Sequence, residues 1–162
     1  MVNSIERSNR DLQRFEFEGI VNFRDLGGLK GADNGMILPG RIFRSATFDF
    51  ATKKDYEKLK AMEIDLFIDF RMPTESKAAN SKWEMFSQHF NRLPQPINVG
   101  DFFSPERVAR LREINAEEAR EIFIEMYRAF PFRYPSIFQR VFQELMTQER
   151  VVYRCSAGKD RT

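Results

Sequence analysis

"VVYRCSAGKDRT" (151–162) changes character halfway along. Val151, Val152 and Tyr153 form a short β-branched and aromatic run that suits a strand. Cys155 to Arg161 are then small, polar or charged, with Gly158 among them. A strand that runs straight into such a loop suits an α/β sheet, where ligands bind at the carboxyl ends of strands. The rest of the chain must then supply the sheet.

It does so by alternation. "MILPGRIFRSA" (36–46) follows the glycine-rich "LGGLKGADNG" (26–35) and predicts a strand near Ile42–Arg44. Thr52 and Asp55 are spaced as a capping box for a helix with Tyr56, Leu59 and Met62 on one face. "IDLFIDF" (64–70) reads as a buried strand, and Pro73 opens a short helix through "TESKAAN" (74–80). "HFNRLPQPINV" (89–99) is extended, with Pro94 and Pro96 placing it at a sheet edge or strand end.

Ser104–Pro105 is an N-cap followed by proline in the first helical position. Asn115 and Glu118 start another helix, where Ala119, Ile122, Phe123, Met126 and Phe130 make an apolar stripe. Pro135 opens the next, with Tyr134, Ile137, Phe138, Val141, Phe142 and Leu145 at the same spacing. The aromatic residues of these helices, Phe132 and Phe142 included, read as core. Strands alternating with helices predict an α/β fold with a central, mostly parallel sheet flanked by helices.

Composition sets the outer bounds. A chain of 162 residues with 42 % apolar residues and 17 Phe suits one domain with a real core. Basic and acidic residues nearly balance, 26 against 24, and a net charge of +2 leaves no footprint for nucleic acid or an anionic membrane. No apolar run approaches a transmembrane span. The polar first residues lack the apolar core of a secretory signal. Cys155, the single cysteine, excludes an internal disulfide and fits a reducing compartment, so a cytoplasmic location is expected. Residues 1–18 are expected to form an N-terminal arm, and 19–162 the domain.

The terminal loop is suited to an anion. Successive backbone N–H groups can curl around phosphate oxygens, and Gly158 permits the tight turn. Arg161 offers a planar fork to two oxygens, and Lys159 adds a second charge. Such surroundings stabilise a thiolate, lowering a thiol pKa from about 8.5 to the range ~3.5–7.5. A Cys155 thiolate beneath a phosphate ester is a nucleophile aimed at phosphorus, and Asp160 is the nearest carboxyl in sequence to exchange protons with the leaving oxygen and with water.

"CSAGKDRT" (155–162) resembles the loop of a tyrosine-phosphatase-like family of bacterial and fungal enzymes marked by HC-x-x-GKDRTG. "VNFRDLGGL" (21–29) is similar to the family's N-terminal NFRDLGG signature, and "GRIFRSA" (40–46) and "IDFR" (68–71) match its next two blocks in order. The resemblance covers about residues 19–162. It implies a protein-phosphatase-like fold and cysteine-dependent hydrolysis of phosphomonoesters, needing neither metal nor cofactor. Cys155 would be the nucleophile, Arg161 the phosphate clamp and Asp160 the general acid, with Ser156, Ala157, Gly158 and Lys159 cradling phosphate. Asn22, Arg24, Asp25, Asp69 and Arg71 would support or border the pocket, or serve structure alone as arm ties and a strand-end ion pair. Asp69 and Asp101 are rival general acids.

Two departures stand out. The family has His before the cysteine, where this chain has Arg154, which cannot accept a hydrogen bond. A less ordered loop and a perturbed Cys155 pKa are expected from that. The family also continues past the loop into a helix, so the C-terminal part of the fold is expected to be missing and the chain to be the front of a larger protein. A phosphotyrosine protein is the first expected substrate. Phosphoinositides, an inactive phosphate-binding pseudophosphatase and a sulfurtransferase are the alternatives. Oligomeric state is unassigned.

Overall fold

A computed structural model describes residues 13–78, 88–100, 106, 109 and 113–162. Five strands form one sheet: β1 (Arg24–Asp25), β2 (Ile42–Ser45), β3 (Leu66–Asp69), β4 (Asn91–Pro94) and β5 (Val151–Arg154). Their order is β1-β2-β5-β3-β4. β1 is antiparallel to β2, and every other pairing is parallel. The last strand in sequence is thus the middle strand in space. The edge position of β4 agrees with its prolines, because a strand end at the rim loses least by lacking an N–H.

Register decides where the strands end. Ser45 pairs with Arg154, Arg154 with Asp69, and Asp69 with Pro94. Four parallel strands therefore finish in one row, and the loop after β5 starts from its centre.

Strand alternation sorts side chains to two cores. Phe43, Phe67 and Val152 face the helix α1 (Lys53–Ala61), where Tyr56 and Leu59 are buried. The expected capping box is present: Thr52 accepts from the Asp55 N–H at 3.2 Å, and Asp55 accepts from the Thr52 N–H at 3.0 Å. Asp55 also accepts from the N–H groups of Glu18 (2.7 Å) and Gly19 (2.8 Å). One buried carboxylate thus caps a helix and anchors the incoming chain.

On the other face, Leu66, Ile68, Val151 and Cys155 pack with Met126, Phe130 and Val141. These come from α3 (Ala116–Arg133), capped reciprocally by Asn115 and Glu118, and α4 (Pro135–Thr147). The short α2 (Pro73–Ala78) follows β3. The helix expected to start at Ser104–Pro105 and the acid candidate Asp101 lie outside the described residues, as do residues 79 and 80 of the helix expected after Pro73.

Two aromatic assignments need correction. Phe132 and Phe142 are exposed, not core. Phe142 lies one turn beyond Phe138 on α4. With Leu26, Ile37, Ile42, Phe138 and Leu145 it lines an open apolar groove of about 330 Å³.

Candidate active site

Cys155 follows β5 and is buried at the base of the loop. The loop is shaped by its carbonyls. Thr47 N–H donates to Ser156 O (3.1 Å), Asn22 Nδ2 to Ala157 O (2.8 Å), and one Arg44 Nη to both Gly158 O (2.7 Å) and Lys159 O (3.1 Å). In a trans peptide the C=O and the following N–H point in opposite directions. Four carbonyls tied outward therefore turn the N–H groups of Ala157, Gly158, Lys159 and Asp160 the other way. Successive N–H groups on one side of a loop can receive an oxyanion.

Two backbone positions make the curl possible. Gly158 has φ of +65°, and a Cβ there would fall 2.5 Å from the backbone N of Ala46 and 2.7 Å from Ser45 O. Only glycine fits against the end of β2. Asn22 has φ of 58°, in the left-handed region that asparagine tolerates. Its amide reaches the loop across 135 residues.

Arg161 is clasped by a residue that sequence reading did not single out. Glu75 of α2 accepts from the two Nη atoms of Arg161 at 2.6 and 2.7 Å, and from Ser156 Oγ at 2.6 Å. Arg161 also donates to Phe70 O (3.3 Å) and Ser156 Oγ (3.1 Å). The Arg161 hydrogen bonds hold the Glu75 carboxyl down at about 2, against burial. Burial opposes the charge of Arg161, but Glu75 outweighs it and the guanidinium titrates above its usual range. In "MPTE" (72–75) Glu75 has the look of a helix cap, a role it also fills by accepting from Met72 N–H at 2.8 Å. Nothing local announces its reach to Arg161.

A second ionic centre lies beneath the strand ends. Asp69 is fully buried and accepts from Arg71, Arg92 and Arg154, with Nη distances of 3.1, 2.8 and 2.8 Å to one oxygen. Its other oxygen accepts from Arg71 N–H and Nε, both at 3.1 Å. Arg71 continues to Asp49 (2.9 Å) and Thr47 Oγ1 (2.8 Å). Burial alone would raise the Asp69 pKa, yet Arg154 and Arg71 bring it below the usual carboxylate range. The expected pair Asp69–Arg71 is thus real, and larger than the sequence suggested by Asp49, Arg92 and Arg154.

Arg154 lies on the face of β5 opposite to Cys155. It is buried, with its guanidinium 4.7 Å from the Phe48 ring centroid. Alternation along β5 sends it to the α1 face with Val152, while Cys155 belongs to the opposite core. Its charge therefore enters the Asp69 cluster and not the cradle. Burial pushes its pKa down to about 10 despite Asp69, and Arg71 and Arg92 add to that.

The N-terminal signature divides between two jobs. Asn22 touches the loop directly, and Arg24 donates to Asn22 Oδ1 at 3.3 Å. Asp25 does not reach the cradle. It accepts from Gly27 N–H (2.8 Å) and Gly40 N–H (2.7 Å), pinning the turns that flank β1 and β2. At the rim, Asp160 Oδ1 accepts from Tyr127 of α3 at 2.8 Å and lies 3.6 Å from the exposed Lys159 ammonium.

The comparisons with known proteins agree with this geometry. Residues 15–162 match the model of the tyrosine phosphatase family. A Cupriavidus necator protein named "Putative tyrosine-protein phosphatase" is 32 % identical over 146 residues, covering 90 % of this chain and 52 % of that protein. The chain spans about half the length of the curated relative it matches. The loop lies at the row of parallel strand ends and the match runs through it, and the chain belongs to the tyrosine phosphatase family.

Proposed function

We propose that this chain carries the catalytic loop of a cysteine-dependent phosphomonoester hydrolase, acting first on phosphotyrosine. The observation that carries the reading is the outward tethering of four successive loop carbonyls above a buried cysteine. It prepares backbone donors for three phosphoryl oxygens before substrate arrives, and such preorganised donors supply much of the stabilisation of a transferring phosphoryl group. Arg161, held by Glu75, gives its Nη donors to Glu75, Phe70 O and Ser156 Oγ, and would clamp phosphate through Nε and the Nη that releases Ser156.

The reaction has two steps. The Cys155 thiolate attacks phosphorus, an S–P bond forms, the ester P–O bond breaks, and the leaving oxygen takes a proton from Asp160. Water then attacks phosphorus and gives its proton to Asp160 as the S–P bond breaks, releasing phosphate and the thiolate. Asp69 suits the acid role poorly, because six donor groups from three arginines favour its ionised form. Asp160 has one tethered oxygen and stands at the rim. A second substrate class, phosphoinositides, draws support from Lys159, whose exposed ammonium beside the loop could meet a further phosphate.

Release of para-nitrophenol from its phosphate ester tests the reading. The expected result is turnover that Cys155→Ser abolishes, with a phosphorylated Cys155 peptide in acid-quenched enzyme. Turnover surviving in Cys155→Ser rejects the nucleophile. Phosphopeptide binding without turnover identifies a pseudophosphatase instead.

A further inference from the structure

Tyr127 has no role in the reaction outlined above, yet it makes the one protein hydrogen bond to the Asp160 carboxyl among the described residues. Its ring is held edge-on against buried Phe130, with centroids 6.0 Å apart and planes at 89°. The phenol therefore reaches the rim from a fixed base in α3, and 41 % of the residue stays exposed there. Its hydroxyl lies 2.8 Å from Oδ1, the oxygen that also faces Lys159. The tyrosine and the lysine thus share one oxygen and leave Oδ2 to carry a proton.

We propose that Tyr127 is a positioning residue, tethering one oxygen of Asp160 so that the other exchanges protons with the ester oxygen and then with water. This rests on the reading of Asp160 as the general acid. Burial, and then the hydrogen bond and charge of Asp160, push the Tyr127 phenol up to about 12, while Arg44 opposes and Cys155 adds to the rise. The phenol thus remains a donor throughout the neutral range and is not itself the base. Tyr127 would therefore hold the Asp160 carboxyl aligned in both steps.

The test compares Tyr127→Phe and Asp160→Asn with the parent chain, using para-nitrophenyl phosphate and phenyl phosphate, whose leaving group is the poorer. Tyr127→Phe keeps the ring on Phe130 and loses only the donor. Losing a hydrogen bond to a charged group predicts a kcat/KM about tenfold lower on phenyl phosphate and a much smaller fall on the nitrophenyl ester. In Asp160→Asn, adding Tyr127→Phe should bring no further loss. Equal losses on both esters, a further loss in the double variant, or parental kinetics overturn the positioning role. Parental activity in Asp160→Asn overturns the general-acid reading instead, and a parent inert towards both esters overturns the phosphatase reading beneath it.

Discussion

Glu75 illustrates what one side chain contributes. It neutralises Arg161, fixes the plane of its guanidinium and receives Ser156, all from the first turn of α2. The Arg161 hydrogen bonds hold its carboxyl down at about 2, below the usual 4.5. A depressed carboxyl pKa adds stability that is fully present above the unfolded value and is lost as pH falls through the folded one. Glu75→Gln should therefore be less stable than the parent at pH 7, and the gap should close between about pH 4.5 and about 2. Thermal denaturation across that window measures it, and a gap independent of pH contradicts the ion-pair origin. The residue is partly exposed, so solvent screening keeps the effect modest.

At the scale of elements, the question is what joins the strand ends. Asp69 of β3 draws in Arg92 from β4, Arg154 from β5 and Arg71 from the segment after β3. Removing the one carboxylate that three guanidinium groups share strands their charge, whereas removing one of the three arginines leaves that carboxylate paired. Asp69→Asn leaves three guanidinium groups with Asp49 as the remaining carboxylate, and should cost about 3–5 kcal/mol. Arg154→Met keeps the volume against Phe48 and leaves Asp69 two arginines, and should cost about 1 kcal/mol or less. Urea unfolding distinguishes the two. Equal losses would mean that the cluster depends on Arg154 as much as on Asp69. The two cores on either side contribute in the ordinary way, through buried apolar side chains from β2, β3, β5 and the helices.

At the scale of the whole molecule, the loop belongs to the fold and not to β5 alone. Its contacts come from Asn22 before β1, Arg44 in β2, Glu75 in α2 and Tyr127 in α3. Ligand binding to the cradle should therefore stabilise the entire domain by mass action. Orthovanadate is expected to raise the parent Tm, and Arg44→Ala, which frees two loop carbonyls, to lose most of that rise. A full rise in Arg44→Ala would show that the cradle keeps its shape without the arginine. Among the described residues, no helix is long and apolar enough to cross a membrane.

The sequence by itself determined the local features. Capping at Thr52 and Asn115, the short apolar strands, the edge placement of the proline-bearing strand and the Cys155–Arg161 loop all depend on residues within a few positions of one another, where propensity and short-range hydrogen bonds decide. The face taken by Arg154 was also within reach, since it follows from strand parity relative to Cys155. Only the tertiary structure decided which charges meet. The Asp69 cluster, the Glu75–Arg161 clasp, the Tyr127–Asp160 tether and the Asn22 and Arg44 ties join residues 33 to 135 positions apart, or strands that meet only in the sheet. They depend on the strand order β1-β2-β5-β3-β4 and on its register, and a slip of one residue would turn every side chain of a strand to the other face. The exposure of Phe142 has the same origin, because a helical stripe fixes which residues share a face but not how much of that face the rest of the fold covers.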